Sequence, residues 1–271
     1  MTGLNIIYPD GKTTSKCWQV FEPLMHGWPD STVSTELILD DRPMCIWGLG
    51  LNNKDWALRC IREGKKWLFA DMPYFNRWMG EHTAERCHWR LIPNDLHVTE
   101  VRDYPSDRAH VLGLTLAEWR KKGQHILIAP SSITVNRFVI DSKLDETSWI
   151  DSTVAEIKKY TDRPIRLRKK PRNGKLSGPM VETVPLEHDL ANCWAVVTSC
   201  SIVGVQAAMA GIPVFGHPRG PSAPIANINL SAIEDPAMPD RRLWLNTLTY
   251  SQFTKAEMRS GLAREILHQL L

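Results

Sequence analysis

The segment from Ala195 to Val214 constrains the fold more than any other stretch of this sequence. It reads AVVTSCSIVGVQAAMAGIPV, which is an apolar run, a polar turn, an amphipathic stretch, a glycine and a second apolar run. This order is typical of a strand, a helix and a second strand in a βαβ unit. Gly211 fits a left-handed helix end, and Pro213 fits just beyond it. We therefore predict a helix over Ser201–Ala210 between two buried strands.

The polar turn of this segment is a candidate anion site. Ser199 or Ser201 is a natural N-cap, because a serine hydroxyl accepts from backbone N–H groups that the helix leaves free. The same helix end would present N–H groups and a positive dipole to a diphosphate. The alternative is a plain βαβ turn that binds no ligand.

Short apolar runs alternate with amphipathic stretches along the rest of the chain, which predicts an α/β fold. The run HILIA at His125–Ala129 has the continuous apolar character of a strand buried on both faces, and we place the first strand of a second domain there. We predict Rossmann-like domains over residues 1–120 and 121–240, facing a central cleft. C-terminal helices over residues 241–271 are expected to pack back across both domains.

Three local predictions accompany this division. We expect a strand over Thr35–Leu39, a helix over Leu114–Lys121 and a long helix over Lys255–Leu270. Ligands in open α/β sheets bind at the carboxyl ends of the strands, so the candidate residues are sought at those ends.

The composition excludes several other classes of protein. The chain has 271 residues and a net charge of only +3, so any contact with nucleic acid must be local. No apolar run approaches the roughly 20 residues that cross a bilayer. The N-terminus lacks the features of a signal peptide, so we expect a cytoplasmic protein without a membrane partner. The six cysteines form no C-x-x-C pair and are expected to be buried free thiols, with no metal site.

A basic stretch precedes the polar turn. Seven Arg and Lys residues lie between Arg163 and Lys175, and Arg166 and Arg168 share one face of a predicted strand. Arg and Lys both suit phosphate, through a planar fork and a point charge respectively. The alternatives are a solvated basic loop and a local contact with a nucleic-acid backbone.

Asp71 is the candidate catalytic residue of the N-terminal half. It follows the predicted strand Lys66–Ala70, and a carboxylate at a strand end could take the proton from an acceptor hydroxyl. Tyr74 and Trp78 could stack on a sugar or a base. The alternative is that Asp71 caps a helix that begins near Pro73.

The chain resembles GT-B glycosyltransferases, whose donor domain often carries the pattern E-A-x-x-x-G-x-P-V. Here Gln206-Ala207, Gly211 and Pro213-Val214 stand at that spacing. The resemblance covers about 55 residues, from Arg163 to His217. The preceding Thr198–Gly204 is similar to the serine- and glycine-bearing turn of capsule-type transferases.

The resemblance implies a nucleotide-sugar donor, with a UDP-sugar expected. It implies that Ser199, Ser201 and Gly204 contact the donor, and that Arg168 and Lys170 are the counterparts of a basic strand end. Gln206 stands where the family has an acidic residue that holds the ribose. The sequence has no Asp-x-Asp, which favours a transferase that needs no metal.

Other pieces of the sequence resemble bacteriophage glycosyltransferases that modify hydroxymethylated pyrimidines in DNA. The matching pieces are DMPYF from Asp71, WR with GQHILI from Trp119, TDRP with RKKP from Thr161, and WLN with YSQFT from Trp244. This resemblance implies DNA as the acceptor and the host cytoplasm as the location. A flipped base would have to bring the hydroxyl to the site.

Three rivals to this hypothesis stay open. A capsule- or lipid-type sugar transferase would need a membrane-binding face, and the C-terminal helix is only modestly amphipathic. A nucleotide-sugar epimerase would share the fold. A DNA-binding protein without activity would make the pattern over residues 198–214 coincidental.

Overall fold

A computed structural model describes residues 3–8, 16–77, 85–168 and 185–271. Lys170 and Trp78, both singled out above, lie outside these residues. The chain divides into two compact units. The first contains residues 1–98, 103–113 and 245–271, and the second contains residues 99–102 and 114–244.

The described residues form ten strands and ten α-helices. The strands are β1 (Asn5–Ile7), β2 (Thr32–Ser34), β3 (Met44–Trp47), β4 (Trp67–Asp71), β5 (Trp89–Pro93), β6 (His125–Ile128), β7 (Ile165–Leu167), β8 (Cys193–Thr198), β9 (Val214–Gly216) and β10 (Gln252–Phe253). The helices are α1 (Trp18–Gly27), α2 (Asn53–Arg62), α3 (Asp107–Val111), α4 (Ile133–Val139), α5 (Glu146–Ile157), α6 (Leu186–Leu190), α7 (Val203–Met209), α8 (Arg242–Thr249), α9 (Lys255–Arg259) and α10 (Leu262–Leu267).

The sheet of the first unit has six strands in the order β10-β5-β4-β3-β1-β2. Strands β2, β1, β3 and β4 are parallel, whereas β5 is antiparallel to β4 and β10 is antiparallel to β5. The central strands are buried except at the last residues of β3 and β4, because their apolar side chains, such as Ile6, Cys45 and Leu68, belong to one core with the helices α1, α9 and α10. The C-terminal segment therefore completes the sheet and the core of the first unit.

The sheet of the second unit has four parallel strands in the order β7-β6-β8-β9. Every residue of β6 and β8 is buried, as their continuous apolar sequences indicate. Ile126, Ala195 and Phe215 share a core with Ile157 of α5. The predicted α/β fold is confirmed, and so is the left-handed conformation of Gly211, at φ 75°.

The predicted helix over Leu114–Lys121 is wrong, because this segment is irregular. Its N–H groups bond outward: Ala117 donates to the carbonyl of Met209 at 2.9 Å, and Arg120 donates to that of Gly211 at 2.7 Å. Backbone N–H groups of this segment are therefore hydrogen-bonded to carbonyls at the C-terminal end of α7, and the segment forms no helix of its own.

Two other predicted elements also differ from the structure. The strand predicted over Thr35–Leu39 is wrong: these residues are irregular, and the strand lies just before them at Thr32–Ser34, where the Ser34 hydroxyl bonds both backbone groups of Glu36. The predicted helix over Lys255–Leu270 is interrupted at Gly261, whose φ of 88° is left-handed and favours glycine. In the described part of the chain, no helix is both long and apolar enough to cross a membrane.

Candidate functional site

The strand order of the second unit places a candidate site between β6 and β8. The chain passes from β6 to β7 on one side, and β8 and β9 extend the sheet on the other. A crevice forms at such a reversal, and ligands of open α/β sheets bind there, outside the carboxyl ends of the strands. The turns after β6 and β8 are therefore the natural place to look for a ligand site.

Two serines join these turns reciprocally. The N–H of Ser131 donates to the hydroxyl of Ser199 at 3.0 Å, and the N–H of Cys200 donates to the hydroxyl of Ser131 at 3.2 Å. Ser131 and Ser199 are 6% and 2% exposed. The hydroxyl of the predicted residue Ser199 is thus used inside the protein, and Ser131 is a partner that the sequence alone did not single out.

The turn after β8 is held by further hydroxyl groups. The N–H of Ser201 donates to the Thr198 hydroxyl at 3.0 Å, and the N–H of Val203 donates to the Ser201 hydroxyl at 3.3 Å. Helix α7 has only seven residues, and Ile202 occupies its N-cap position with no side-chain cap. The prediction that Ser199 or Ser201 is the N-cap is wrong, because Ile202 occupies that position. The Ser199 hydroxyl accepts from Ser131, and the Ser201 hydroxyl accepts from the first N–H of α7 from one residue before the N-cap.

Gly204 lies where α7 packs closely against the sheet and the loop that carries Ser222. A Cβ atom at this position would lie 2.8 Å from the hydroxyl oxygen of Ser222 and 3.1 Å from Cγ2 of Thr198. Ser222 is 1% exposed, and its hydroxyl has no hydrogen-bond partner among the described residues. Packing of the helix is therefore sufficient to explain a glycine here.

Gln206 lies two residues farther along α7 and is exposed. Its neighbours Val205 and Ala207 are fully buried, so the helix presents Gln206 on its outer face. An exposed amide can both donate to and accept from a ligand hydroxyl.

Arg168 is not brought to the turn after β8. Its guanidinium pairs with the carboxylate of Asp189 in α6, the helix that precedes the start of β8. The carbonyl of Asp189 lies 2.9 Å from Nε2 of His125, the first residue of β6. The Arg168 side chain therefore reaches back toward the amino ends of the strands. Lys170, the other basic residue expected to hold a diphosphate, lies outside the described residues.

The loop after β9 contributes basic residues that sequence analysis missed. The N–H of His217 donates to the carbonyl of Ser199 at 3.1 Å, and the N–H of Arg219 donates to Nδ1 of His217 at 3.2 Å. The Arg219 guanidinium lies 5.1 Å from the ring centre of Phe138 in α4. The available signal was the sequence GHPRG directly after a predicted strand, since basic residues at a strand end suit an anionic ligand.

In the first unit, Asp71 ends β4 as predicted, and its side chain is 35% exposed. One carboxylate oxygen accepts from Arg90 at 2.9 Å, and the other accepts from the N–H of Met72 at 2.7 Å. No helix follows it over residues 72–77, so the capping alternative is wrong. Tyr74 is only 7% exposed and its ring lies against Arg90, so the predicted stacking of Tyr74 on a ligand is not supported.

All six cysteines are free thiols, and only Cys17 is not fully buried. Burial raises the pKa of the Cys60 and Cys193 thiols to about 11. Among the described residues, no group of three or more His, Cys, Asp or Glu side chains is placed to hold a metal ion.

Comparison with known proteins shows similarity of fold, but not of sequence. The sequence matches no protein-family profile and no curated protein. Its structure is similar to KpsC of Thermosulfurimonas dismutans, described as a beta Kdo 2,7 transferase, with a TM-score of 0.52 and 10% identity over 97% of this chain and 99% of that one. It is also similar to KpsC of the same organism described as a beta Kdo 2,4 transferase, with a TM-score of 0.52 and 11% identity over 98% of both chains. At these identities the similarity shows a shared fold.

Proposed function

We propose that the chain is a glycosyltransferase that moves a sugar from a nucleotide-activated donor to an acceptor hydroxyl. The observation that carries the proposal is the pair of polar turns at the carboxyl ends of β6 and β8, which Ser131 and Ser199 join. The similarity to two Kdo transferases over nearly the whole chain supports it, and so does the Gln206-to-Val214 pattern.

In this proposal the second unit binds the donor. Ser199, Ser201 and the turn that Gly204 packs against the sheet adjoin the diphosphate, and Gln206 holds the ribose. Arg168 takes part only when its ion pair with Asp189 opens, and Lys170 is its companion. Arg219 of the loop after β9 joins these groups as a cation for the phosphate.

The first unit supplies Asp71, which takes the proton of the acceptor hydroxyl. Each oxygen of the Asp71 carboxylate keeps a second lone pair beyond the bond that it accepts from Arg90 or Met72. The carboxylate can therefore still accept a proton. The GT-B arrangement, in which the two units face one cleft, is part of the proposal. So is transfer without a metal, with positive charge and N–H groups stabilising the leaving group.

Two acceptors are candidates. The resemblance to phage enzymes favours a hydroxymethylated pyrimidine in DNA. The printed names of the two similar structures favour a saccharide hydroxyl, since both are Kdo transferases. A capsule- or envelope-type acceptor is therefore the second candidate, and it is supported by structural similarity.

The test begins with a thermal-shift screen of the protein against UDP-sugars, other nucleotide sugars and nucleotide-activated Kdo. A ligand that binds only the folded state raises the unfolding midpoint, and about 2.7 kcal/mol of stabilisation follows at 100 times Kd. Donors that shift the midpoint are then assayed for transfer to hydroxymethylated DNA and to saccharide acceptors, with and without EDTA.

The expected result is a shift with one class of nucleotide sugar and EDTA-resistant transfer to one of the two acceptors. Unmodified DNA of the same sequence is the control for the first acceptor. A shift with DNA but with no nucleotide would contradict the proposal and favour a DNA-binding protein without activity.

A further inference from the structure

A buried arginine lies directly across the sheet from Asp71. Asp71 and Arg90 are partners in the antiparallel register of β4 and β5, so their side chains lie on the same face of the sheet. The Nη2 atom of Arg90 lies 2.9 Å from Oδ2 of Asp71. The side chain of Arg90 is 3% exposed and that of Asp71 is 35% exposed, so a buried cation holds an accessible anion.

The Arg90 guanidinium is itself held by His97, which is 5% exposed. Nη1 of Arg90 lies 2.9 Å from Nδ1 of His97. A guanidinium can only donate, so Nδ1 carries the lone pair and His97 is neutral, with its proton on Nε2. The Tyr74 hydroxyl lies 3.3 Å from the same nitrogen, and burial raises the pKa of this phenol, so it keeps its proton.

Two aromatic rings complete the setting of the guanidinium. Its carbon lies 5.5 Å from the ring centre of Phe69 and 5.0 Å from that of Tyr74. The loop that carries Tyr74 is fixed by Gln252 of β10, whose side-chain oxygen accepts from the N–H groups of Tyr74 and Phe75, each at 3.0 Å. Arg90 thus has one orientation that serves Asp71 and His97 together.

This arrangement is a costly way to stabilise a fold. Burying a cation carries a desolvation penalty, and apolar replacements of buried ion pairs are often neutral or stabilising. The Nε atom of Arg90 has no hydrogen-bond partner among the described residues, which adds to that penalty. A packing role alone would be served equally well by an apolar side chain.

We propose that Arg90, held by His97, is a positioning residue for Asp71. Arg90 binds Oδ2 while the N–H of Met72 binds Oδ1, so the carboxylate has one orientation, and its remaining lone pairs are directed away from these donors. The inference rests on the proposed function, because Asp71 is the proposed base of the transfer.

The test uses the full chain and compares Arg90→Met with Arg108→Met. Arg108 is a matched control in the same unit, since its guanidinium binds both carboxylate oxygens of Glu257, at 2.6 and 3.1 Å, and contacts aromatic rings. Arg90→Met should lower kcat about 100-fold with the donor KM unchanged, because misplacing a catalytic group by about 1 Å has that effect. Its unfolding midpoint should change less than that of Arg108→Met, which should keep its kcat.

Arg90→Lys and a pair of His97 variants test orientation against charge and bulk. Lysine keeps the charge but has no planar fork to reach both Asp71 and His97, so its kcat should remain well below that of the wild type. His97→Asn places an acceptor oxygen near the position of Nδ1 and should retain most of kcat. His97→Leu fills similar space without an acceptor and should lower kcat about 10-fold.

The outcomes separate this inference from the proposed function. Wild-type transfer together with an unchanged kcat in Arg90→Met would overturn the positioning role and leave the proposed function intact. Equal losses in His97→Asn and His97→Leu, accompanied by lower midpoints, would also overturn it, because they indicate a packing role. The absence of transfer by the wild type with every donor would remove the proposed function, and this inference with it.

Discussion

The two units use the same order of parallel strands and finish their sheets differently. Taken in chain order, the parallel strands of each unit run second, first, third, fourth: β2-β1-β3-β4 in the first unit and β7-β6-β8-β9 in the second. The first unit then adds β5 and β10, both antiparallel to their neighbours, and β10 comes from the C-terminal end of the chain. The second unit ends with β9.

This difference decides which chemistry each strand end can support. An antiparallel neighbour brings a residue from the opposite direction directly beside a strand end, which is how Arg90 reaches Asp71. In an all-parallel sheet only turns meet at the carboxyl edge, and the second unit fills that edge with the hydroxyls of Thr198, Ser199 and Ser131. A held carboxylate suits proton transfer, whereas neutral donors and hydroxyls suit the binding of a ligand.

The largest effect should follow from neutralising the carboxylate of the first unit. We expect Asp71→Asn to lower kcat about 1,000-fold, because a general base contributes roughly 100- to 10,000-fold. The donor should bind with the same Kd, because its proposed site lies in the other unit. Transfer rates and isothermal titration with the donor measure the two quantities. Undiminished transfer would exclude Asp71 as the base.

The next largest effect should follow from adding a side chain at Gly204, where α7 packs closely against the sheet. We expect Gly204→Val to lower the free energy of unfolding by about 1–3 kcal/mol, as overpacking does. The Cβ atom alone would lie 2.8 Å from the Ser222 hydroxyl oxygen and 3.1 Å from Cγ2 of Thr198. Gly50→Val in the first unit is the matched control, since a Cβ there meets nothing within 4 Å.

Urea unfolding of both glycine variants measures the difference. Equal stabilities would contradict the packing role of Gly204 and would return this residue to the candidate ligand contacts.

Within the second unit, local pattern predicted the strands and α7 but not the segment over Leu114–Lys121. The continuous apolar runs of β6 and β8, and Gly211 after α7, were recognisable because the order of strand, turn and helix is written within about 20 residues. The segment over Leu114–Lys121 has helix-forming residues, but its backbone bonds to Met209 and Gly211, which lie about 90 residues away in the chain. Tertiary contacts of this range override local propensity.

The candidate sites show the same limit. Asp71 was found because it ends an apolar strand, but its partners were not, because Arg90 reaches it through an antiparallel register. Gln252, which fixes the loop after β4, is separated from Tyr74 by 178 residues. Ser131 was not singled out, since its bond to Ser199 depends on the order of the strands.

A smaller effect on stability is expected from neutralising Glu257, whose charge helps to hold the C-terminal part of the first unit. Glu257 accepts from Arg108, and its carboxylate and N–H complete the capping box of α9 with Thr254. Burial opposes ionisation, but the hydrogen bonds from Arg108 and Thr254 outweigh it and hold the pKa of Glu257 below its ordinary value. We expect Glu257→Gln to lower the free energy of unfolding by about 1–2 kcal/mol at pH 7.

The sign of the pH dependence follows from the lowered pKa of Glu257. A carboxyl whose pKa falls on folding stabilises the protein above its unfolded value, about 4.3, and this stabilisation is lost as the pH falls through the folded value. The difference between wild type and Glu257→Gln should therefore be constant above about pH 5 and shrink below it. Glu156→Gln in the second unit is the control: its ion pair with Lys159 is exposed and screened, so it should change stability little. A difference for Glu257→Gln that grows toward low pH would contradict the assignment.

The smallest effect on stability should come from replacing Gln206. This change helps to distinguish the roles of the two units, because it should affect donor binding alone. Its side chain is exposed on α7, so Gln206→Ala should change the free energy of unfolding by less than about 0.5 kcal/mol. The loss of one neutral hydrogen bond to the ribose, about 0.5–1.5 kcal/mol, should raise the donor KM about 3- to 10-fold. Gln206→Glu restores an acceptor of the same length, so its donor KM should remain near that of the wild type. A donor KM that is unchanged in Gln206→Ala would separate Gln206 from the donor site, even if transfer itself were established.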